Sequence, residues 1–248
     1  MEQITKRYSL IDSLRGLAVF SMVIYHFVWD LHYIAGIRWS SFSSDSNFIW
    51  QQSICWTFIL ISGFCYFLSK HPLKNALLTL LGGTAVTLVT VAVTPDSAIY
   101  FGILFFLGSA MLLLLPIRRF LYKIPPVPGI TVSFLLFILC YGINGGRLAF
   151  GLIKLPNLLY KSVFTAFWGF PHRSFFSADY FSFLPWIFLF LTGFFLCSLI
   201  KGLKTSPKFL YFKIPAFEWI GRRALIIYLV HQPILYGLTV LIIKLQGA

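Results

Sequence analysis

Apolar residues in this chain run in unbroken stretches of about twenty, without the strict alternation of a half-buried strand. Short polar or Pro/Gly-containing joints, at 40–47, 70–74, 94–97, 117–128 and 201–215, close the runs. Seven spans are predicted, roughly 11–33, 48–68, 74–94, 98–115, 128–144, 180–200 and 221–243. Pro185 and Pro233 fall inside the last two, where kinks are expected and tolerated by a bundle in lipid. One stretch, 145–179, is aromatic-rich but not a continuous apolar run, and reads as an outer lid or interfacial element. No internal repeat is seen. The pattern predicts one all-α domain over 1–248, a polytopic membrane bundle of about seven transmembrane helices.

Composition agrees. Hydrophobic residues make up 58% of the 248 and charged ones 11%, against roughly 25% charged in an average soluble domain. The bilayer is therefore the solvent, and backbone groups in lipid must pair within the chain. The N-terminal stretch does not read as a signal peptide, because Asp12 and Arg15 interrupt its apolar region and no small-residue cleavage site follows. The first helix is expected to stay in the mature protein. Cys55, Cys65, Cys140 and Cys197 all lie in apolar runs without metal or redox spacing, and read as small buried hydrophobes; no metal is expected.

Charge orients the bundle. With the N-terminus in the cytoplasm, the inner joints hold 13 Lys and Arg and the outer ones 6, Arg15 in the first span completing the 20. The C-terminus then lies outside. The net charge of +13 has two readings. One is orientation plus attraction to anionic membrane lipid; the other is an inner vestibule for a polyanion such as a nucleotide-bearing cofactor. No nucleic-acid partner is expected.

The first span carries the candidate chemistry. At about 100° per residue, Asp12, Arg15, His26 and Asp30 share an arc of about 60°, and roughly 27 Å separates the first from the last. Asp12 and Arg15 are three residues apart near the inner face, spaced to pair. His26 and Asp30 are four apart in the outer half, where a carboxylate can hold an imidazole. Ionisable groups inside a membrane are costly and mark function unless they are anchors or packing pairs. His231 and Gln232 lie inside the last span and can join this line. Gln51, Gln52 and Asp179 sit at outer ends of spans, and His32, His172 and Arg173 at the outer face.

A His–Asp pair in a dry setting suits general base catalysis: His26 could deprotonate a hydroxyl or amine for attack on a thioester. No Ser or Cys nucleophile with a neighbouring base is evident. The same residues could serve a proton relay in a small-molecule transporter, or belong to a lipid-binding scaffold without turnover.

Longer motifs separate these. The stretch 10–31, LIDSLRGLAVFSMVIYHFVWDL, resembles the opening of bacterial membrane proteins grouped with heparan-alpha-glucosaminide N-acetyltransferase. So do ISGFCYFLS at 61–69, IYFGILFFLGSAMLL at 99–113, DYFSFLPWIFLFLTGFF at 179–195 and IGRRALIIYLVHQPILYG at 220–237. The opening block also resembles membrane acyltransferases that O-acylate surface polysaccharides. The resemblance implies transfer of an acetyl group from cytosolic acetyl-CoA to an amino sugar or glycan outside a bacterial inner membrane. It implies His26 as general base with Asp30, and His32 as the alternative base. Asp12, Arg15, Arg222, Arg223, His231 and Gln232 would face the donor, and His32, Gln51, Gln52 and Asp179 the acceptor. A homodimer is a further expectation. The chain departs from the family pattern at Phe105, where His is common, and at Arg223 and Ala224, where Asn-Ser is common.

Overall fold

A computed structural model describes residues 7–37, 44–205 and 207–246. Lys6, Arg38 and part of the 40–47 joint lie outside the described residues. The helices are α1 Ser9–Tyr33, α2 Ser44–Leu68, α3 Pro72–Val93, α4 Ile103–Leu114, α5 Arg118–Leu121, α6 Pro126–Cys140, α7 Phe183–Gly202, α8 Pro215–Arg222 and α9 Ala224–Gln246. Six of them are long and apolar enough to cross a membrane. Large apolar side chains on α3 such as Leu81 and Leu88 are about two-thirds exposed, which water would penalise and lipid tails do not. The protein is a multi-pass helical membrane bundle.

Six predicted spans fall within a few residues of these helices. The exception is 98–115. Only its last part is helical: α4 has 12 residues, about 18 Å at 1.5 Å per residue, short of a hydrocarbon core of roughly 30 Å. Phe101 stands at φ 55 and Gly102 caps the helix from extended backbone, so the chain enters α4 irregularly. Two further differences concern proline and helix breaks. Leu184 is extended (φ −93, ψ 136), so the regular part of α7 begins at Pro185, where a missing N–H costs nothing. Gly221 and Arg222 close α8, a separate eight-residue helix, and the last span starts at Ala224.

The stretch from 145 to 179 forms short 3-10 turns and a two-residue antiparallel hairpin pairing Arg147–Leu148 with Ile153–Lys154.

The chain groups into two compact units, Met1–Phe58 with Thr205–Ala248, and Ile59–Lys204. In the second, α3 and α4 cross antiparallel with backbones touching: a Cβ on Gly83 would lie 2.4 Å from the Phe105 nitrogen, and one on Gly108 2.5 Å from the Leu80 nitrogen. Bare glycine surfaces of this kind let helices approach in lipid. Helices α6 and α7 are joined by a buried contact of 2.9 Å between the Ser133 and Thr192 hydroxyls. Arg118 caps the end of α2, donating to the Tyr66 and Ser69 carbonyls at 2.9 Å each.

In the first unit, α1 packs on α8 and then on α9. A Cβ on Gly16 would lie 1.8 Å from the Phe217 carbonyl oxygen, and one on Gly221 1.9 Å from that of Asp12. Ser13 Oγ accepts the Ile214 N–H at 3.1 Å, capping α8 from α1. Farther along, Gln232 reaches Asp30. The α8 contacts run opposite to α1, Asp12 on Gly221 and Gly16 on Phe217. Those of α9 advance with it, His26 on His231 and Asp30 on Gln232, so α1 and α9 run parallel. A chain that crosses at every span needs an odd number of crossings for its first and last helices to agree. Among the described residues six helices are long enough to cross; α4, antiparallel to α3, would make a seventh crossing only together with the non-helical 98–102 that leads into it.

Candidate functional site

The polar face of α1 is covered in two places within the first unit. At its start, Asp12 is buried (3% exposed) and takes hydrogen bonds from Arg15 Nη1 and Arg7 Nη2, both at 3.0 Å. The second Arg7 contact, Nε to Asp12 Oδ2, closes a bidentate fork. Arg15 also reaches the Gly221 carbonyl oxygen at 3.4 Å. The i,i+3 spacing thus forms the predicted pair, but the pair faces α8 and the close Gly16–Gly221 crossing. Arg222 pairs with Glu218 one turn back, and the Arg223 guanidinium lies 4.3 Å from the Trp219 ring centroid. Both arginines are exposed.

Toward the other end of α1 the stripe meets α9. Asp30 is fully buried, and its two carboxylate oxygens accept from Gln232 Nε2 at 3.1 and 3.2 Å. The expected imidazole–carboxylate hydrogen bond is therefore not made: among the described residues, the Asp30 side chain is bonded by Gln232 and not by His26. Each residue instead meets a partner on α9: Asp30 the Gln232 carboxamide, and His26 the ring of His231 at 5.1 Å between centroids. His231 is itself buried, and its Nδ1 sits 2.6 Å from the Tyr228 carbonyl oxygen.

Aromatic side chains wall this cluster. The Tyr25 ring lies edge-on to His26 at 5.6 Å and to Trp50 of α2 at 5.3 Å, and Tyr228 lies 5.5 Å from His231. Trp50 Nε1 donates to Ser21 Oγ at 2.8 Å, fixing α2 on α1. Val19, Met22 and Ile54 form the buried core beneath. These walls escaped the sequence reading. Tyr228 meets His231 with both its ring and its carbonyl oxygen, and an aromatic in an apolar run, such as Tyr228 or Trp50, does not announce which helix it touches.

His32 is partly buried with its ring 4.7 Å from Tyr33. Gln52 Oε1 accepts from Trp56 Nε1 at 3.1 Å, and Gln51, beside it on α2, is partly buried. Asp179 belongs to the second unit. Its Oδ2 accepts the first N–H of α4, from Ile103, at 3.3 Å, serving as the side-chain cap that Gly102 cannot provide. Burial pushes this carboxyl up to about 6, the Ile103 hydrogen bond opposing the rise. Among the described residues, no three His, Cys, Asp or Glu side chains converge as a metal site would require.

Two imidazoles, a buried carboxylate and a carboxamide thus meet on the facing sides of two parallel helices, in apolar and aromatic surroundings. Such a group can take and return a proton where water is scarce. None of the curated proteins and none of the solved structures matches the chain. The family model described as heparan-alpha-glucosaminide N-acetyltransferase, catalytic, matches residues 7–233, and so takes in every residue of both polar clusters. The protein belongs to that family and is a membrane acyltransferase.

Proposed function

We propose that the protein moves an acetyl group from cytosolic acetyl-CoA to an amino sugar or glycan at the outer face of a bacterial inner membrane, with His26 as general base. The observation that carries this reading is the His26–His231–Asp30–Gln232 cluster inside a helix pair of an acyltransferase family. His26 takes a proton from the acceptor nitrogen as that atom attacks the thioester carbonyl. The new C–N bond replaces the C–S bond, CoA departs as thiolate, and the imidazolium returns the proton to the sulfur. Asp30, one turn from His26 and lacking a direct bond to it, opposes the developing imidazolium charge through space.

The donor side is the start of α1 and the α8–α9 junction. Exposed Arg222 and Arg223 there fit the phosphates of a CoA head by charge, and the Asp12–Arg15 pair borders them. His231 and Gln232 would meet the donor's arm, and His32, Gln51 and Gln52 the acceptor side. Orientation follows from the 13 to 6 partition of Lys and Arg.

The test is purified protein in detergent with labelled acetyl-CoA and a panel of hexosamines and neutral glycans. Label should pass to an acceptor with release of free CoA, and His26→Ala should cut the rate by about 10²- to 10⁴-fold. Absence of transfer, or full activity in His26→Ala, would overturn the reading. Transfer to hydroxyls alone would move the acceptor from amino sugar to polysaccharide.

A further inference from the structure

We propose that His231 is a second working imidazole of this site, a positioning residue whose bare Nε2 receives the N–H of His26 and shares the charge formed when His26 takes a proton. The proposal rests on the general-base reading above and assigns to α9 the partner that α1 alone was expected to supply.

Hydrogen-bond logic fixes the tautomer. The Tyr228 carbonyl oxygen can only accept, so the contact of 2.6 Å to Nδ1 of His231 places a hydrogen on that nitrogen. A neutral imidazole carries one N–H, which leaves Nε2 as a lone pair. His231 is more than nine-tenths buried, and its Nε2 has no hydrogen-bond partner among the described residues. Buried polar atoms are nearly always paired, and one left bare calls for an explanation.

His26 provides it. Its ring lies 5.1 Å from that of His231 between centroids, with the planes at 52°; rotation of the His26 ring brings an N–H onto the lone pair. Asp30 is held by Gln232 Nε2 at both oxygens and takes no hydrogen bond from His26. On the side of Tyr25 the contact is a ring edge. In the reaction, one nitrogen of His26 takes the acceptor's proton while its other N–H donates to His231, and the charge spreads over two rings. The same proton then leaves His26 for the CoA thiolate. No further reactant is needed.

The experiment compares His231→Leu, which removes the acceptor atom, with His231→Gln, whose carboxamide oxygen can replace it. His231→Leu should lower kcat by about 10- to 100-fold with little change in the acceptor KM, and His231→Gln should recover most of that loss. Added to His26→Gln, His231→Leu should cost nothing more, because the two residues act as a unit. Equal losses in the Leu and Gln variants, or additive losses in the double variant, would overturn the proposal.

A second readout needs no turnover. Ring-nitrogen NMR of 15N-histidine protein in nanodiscs should show His231 protonated at Nδ1, and the His26 resonances should move in the His231 variants. Protonation at Nε2, or His26 resonances indifferent to His231, would refute the pairing. If wild type moves no acetyl group, the acyltransfer reading falls and this spectrum still decides the pairing. If His231→Leu does not fold, His231→Gln and the wild-type spectrum decide it.

Discussion

Asp30 and Gln232 are 202 positions apart in the chain, yet the carboxamide nitrogen reaches both oxygens of a fully buried carboxylate. A hydrogen bond to a charged group contributes about 1.5–3 kcal/mol, and removing only the donor leaves a charge buried without a partner. Gln232→Leu should therefore destabilise the protein more than the combination of Gln232→Leu with Asp30→Asn. Thermal melts of the four proteins in one detergent should yield a coupling of about 1–3 kcal/mol. Additivity within error would show that the bond is not formed in the folded protein. Asp179 offers a different residue-scale test. Its carboxyl lies at about 6 in the fold against 3.8 unperturbed, so the folded state holds the proton more tightly than the unfolded one. Its stabilising contribution is complete below 3.8 and is lost as pH rises through about 6. Asp179→Asn should flatten the fall in melting temperature across that window; an unchanged slope would assign the pH dependence to other groups.

At the scale of elements, the close crossing of α1 on α8 sets where the stripe points. Gly16 and Gly221 bring backbone within reach of Arg15 and Asp12, and α9 then carries His231 and Gln232 onto His26 and Asp30. A methyl at either glycine would sit under 2 Å from a carbonyl oxygen, and neither helix can yield without moving the other. Gly16→Ala and Gly221→Ala should each cost about 1–3 kcal/mol or more. A methyl on Gly237 of α9 would meet nothing within 4 Å, which makes that position the control. Loss of folded protein in the first two variants with Gly237→Ala unaffected is the expected result; tolerance of all three would rule out the crossing.

The same crossing shows what could be read from the chain beforehand. Hydrophobic run length placed six helices to within a few residues, and angular arithmetic placed four ionisable groups on one face of α1. Helical spacing speaks only of neighbours on one helix, however. It found the Asp12–Arg15 pair, which is intrahelical, and mispaired His26 with Asp30, because the partners of both stand on α9. The shortening of α4 was hidden for a related reason. An apolar run records immersion, and Ala98 to Gly102 are as apolar as the helix they precede while taking extended and left-handed backbone.

At the scale of the whole chain, the parallel course of α1 and α9 and the bias of Lys and Arg are both met by the topology expected from the sequence, seven crossings with the basic joints in the cytoplasm. Under the proposed function that topology would give the stripe a direction, with the start of α1 toward the donor and His26 and Asp30 toward the acceptor. Reporter fusions should place residue 205 inside and the end of α9 outside, and the reverse placement would exchange the two sides. The decisive measurement is vectorial. Protein reconstituted in sealed vesicles, sorted for one orientation, receives labelled acetyl-CoA on the side of Arg222 and Arg223 and a membrane-impermeant amino sugar on the other. Acetylated sugar should accumulate on the acceptor side while CoA is released on the donor side, with both lost in His26→Ala. Product that forms only when donor and acceptor share a compartment would contradict transfer across the membrane.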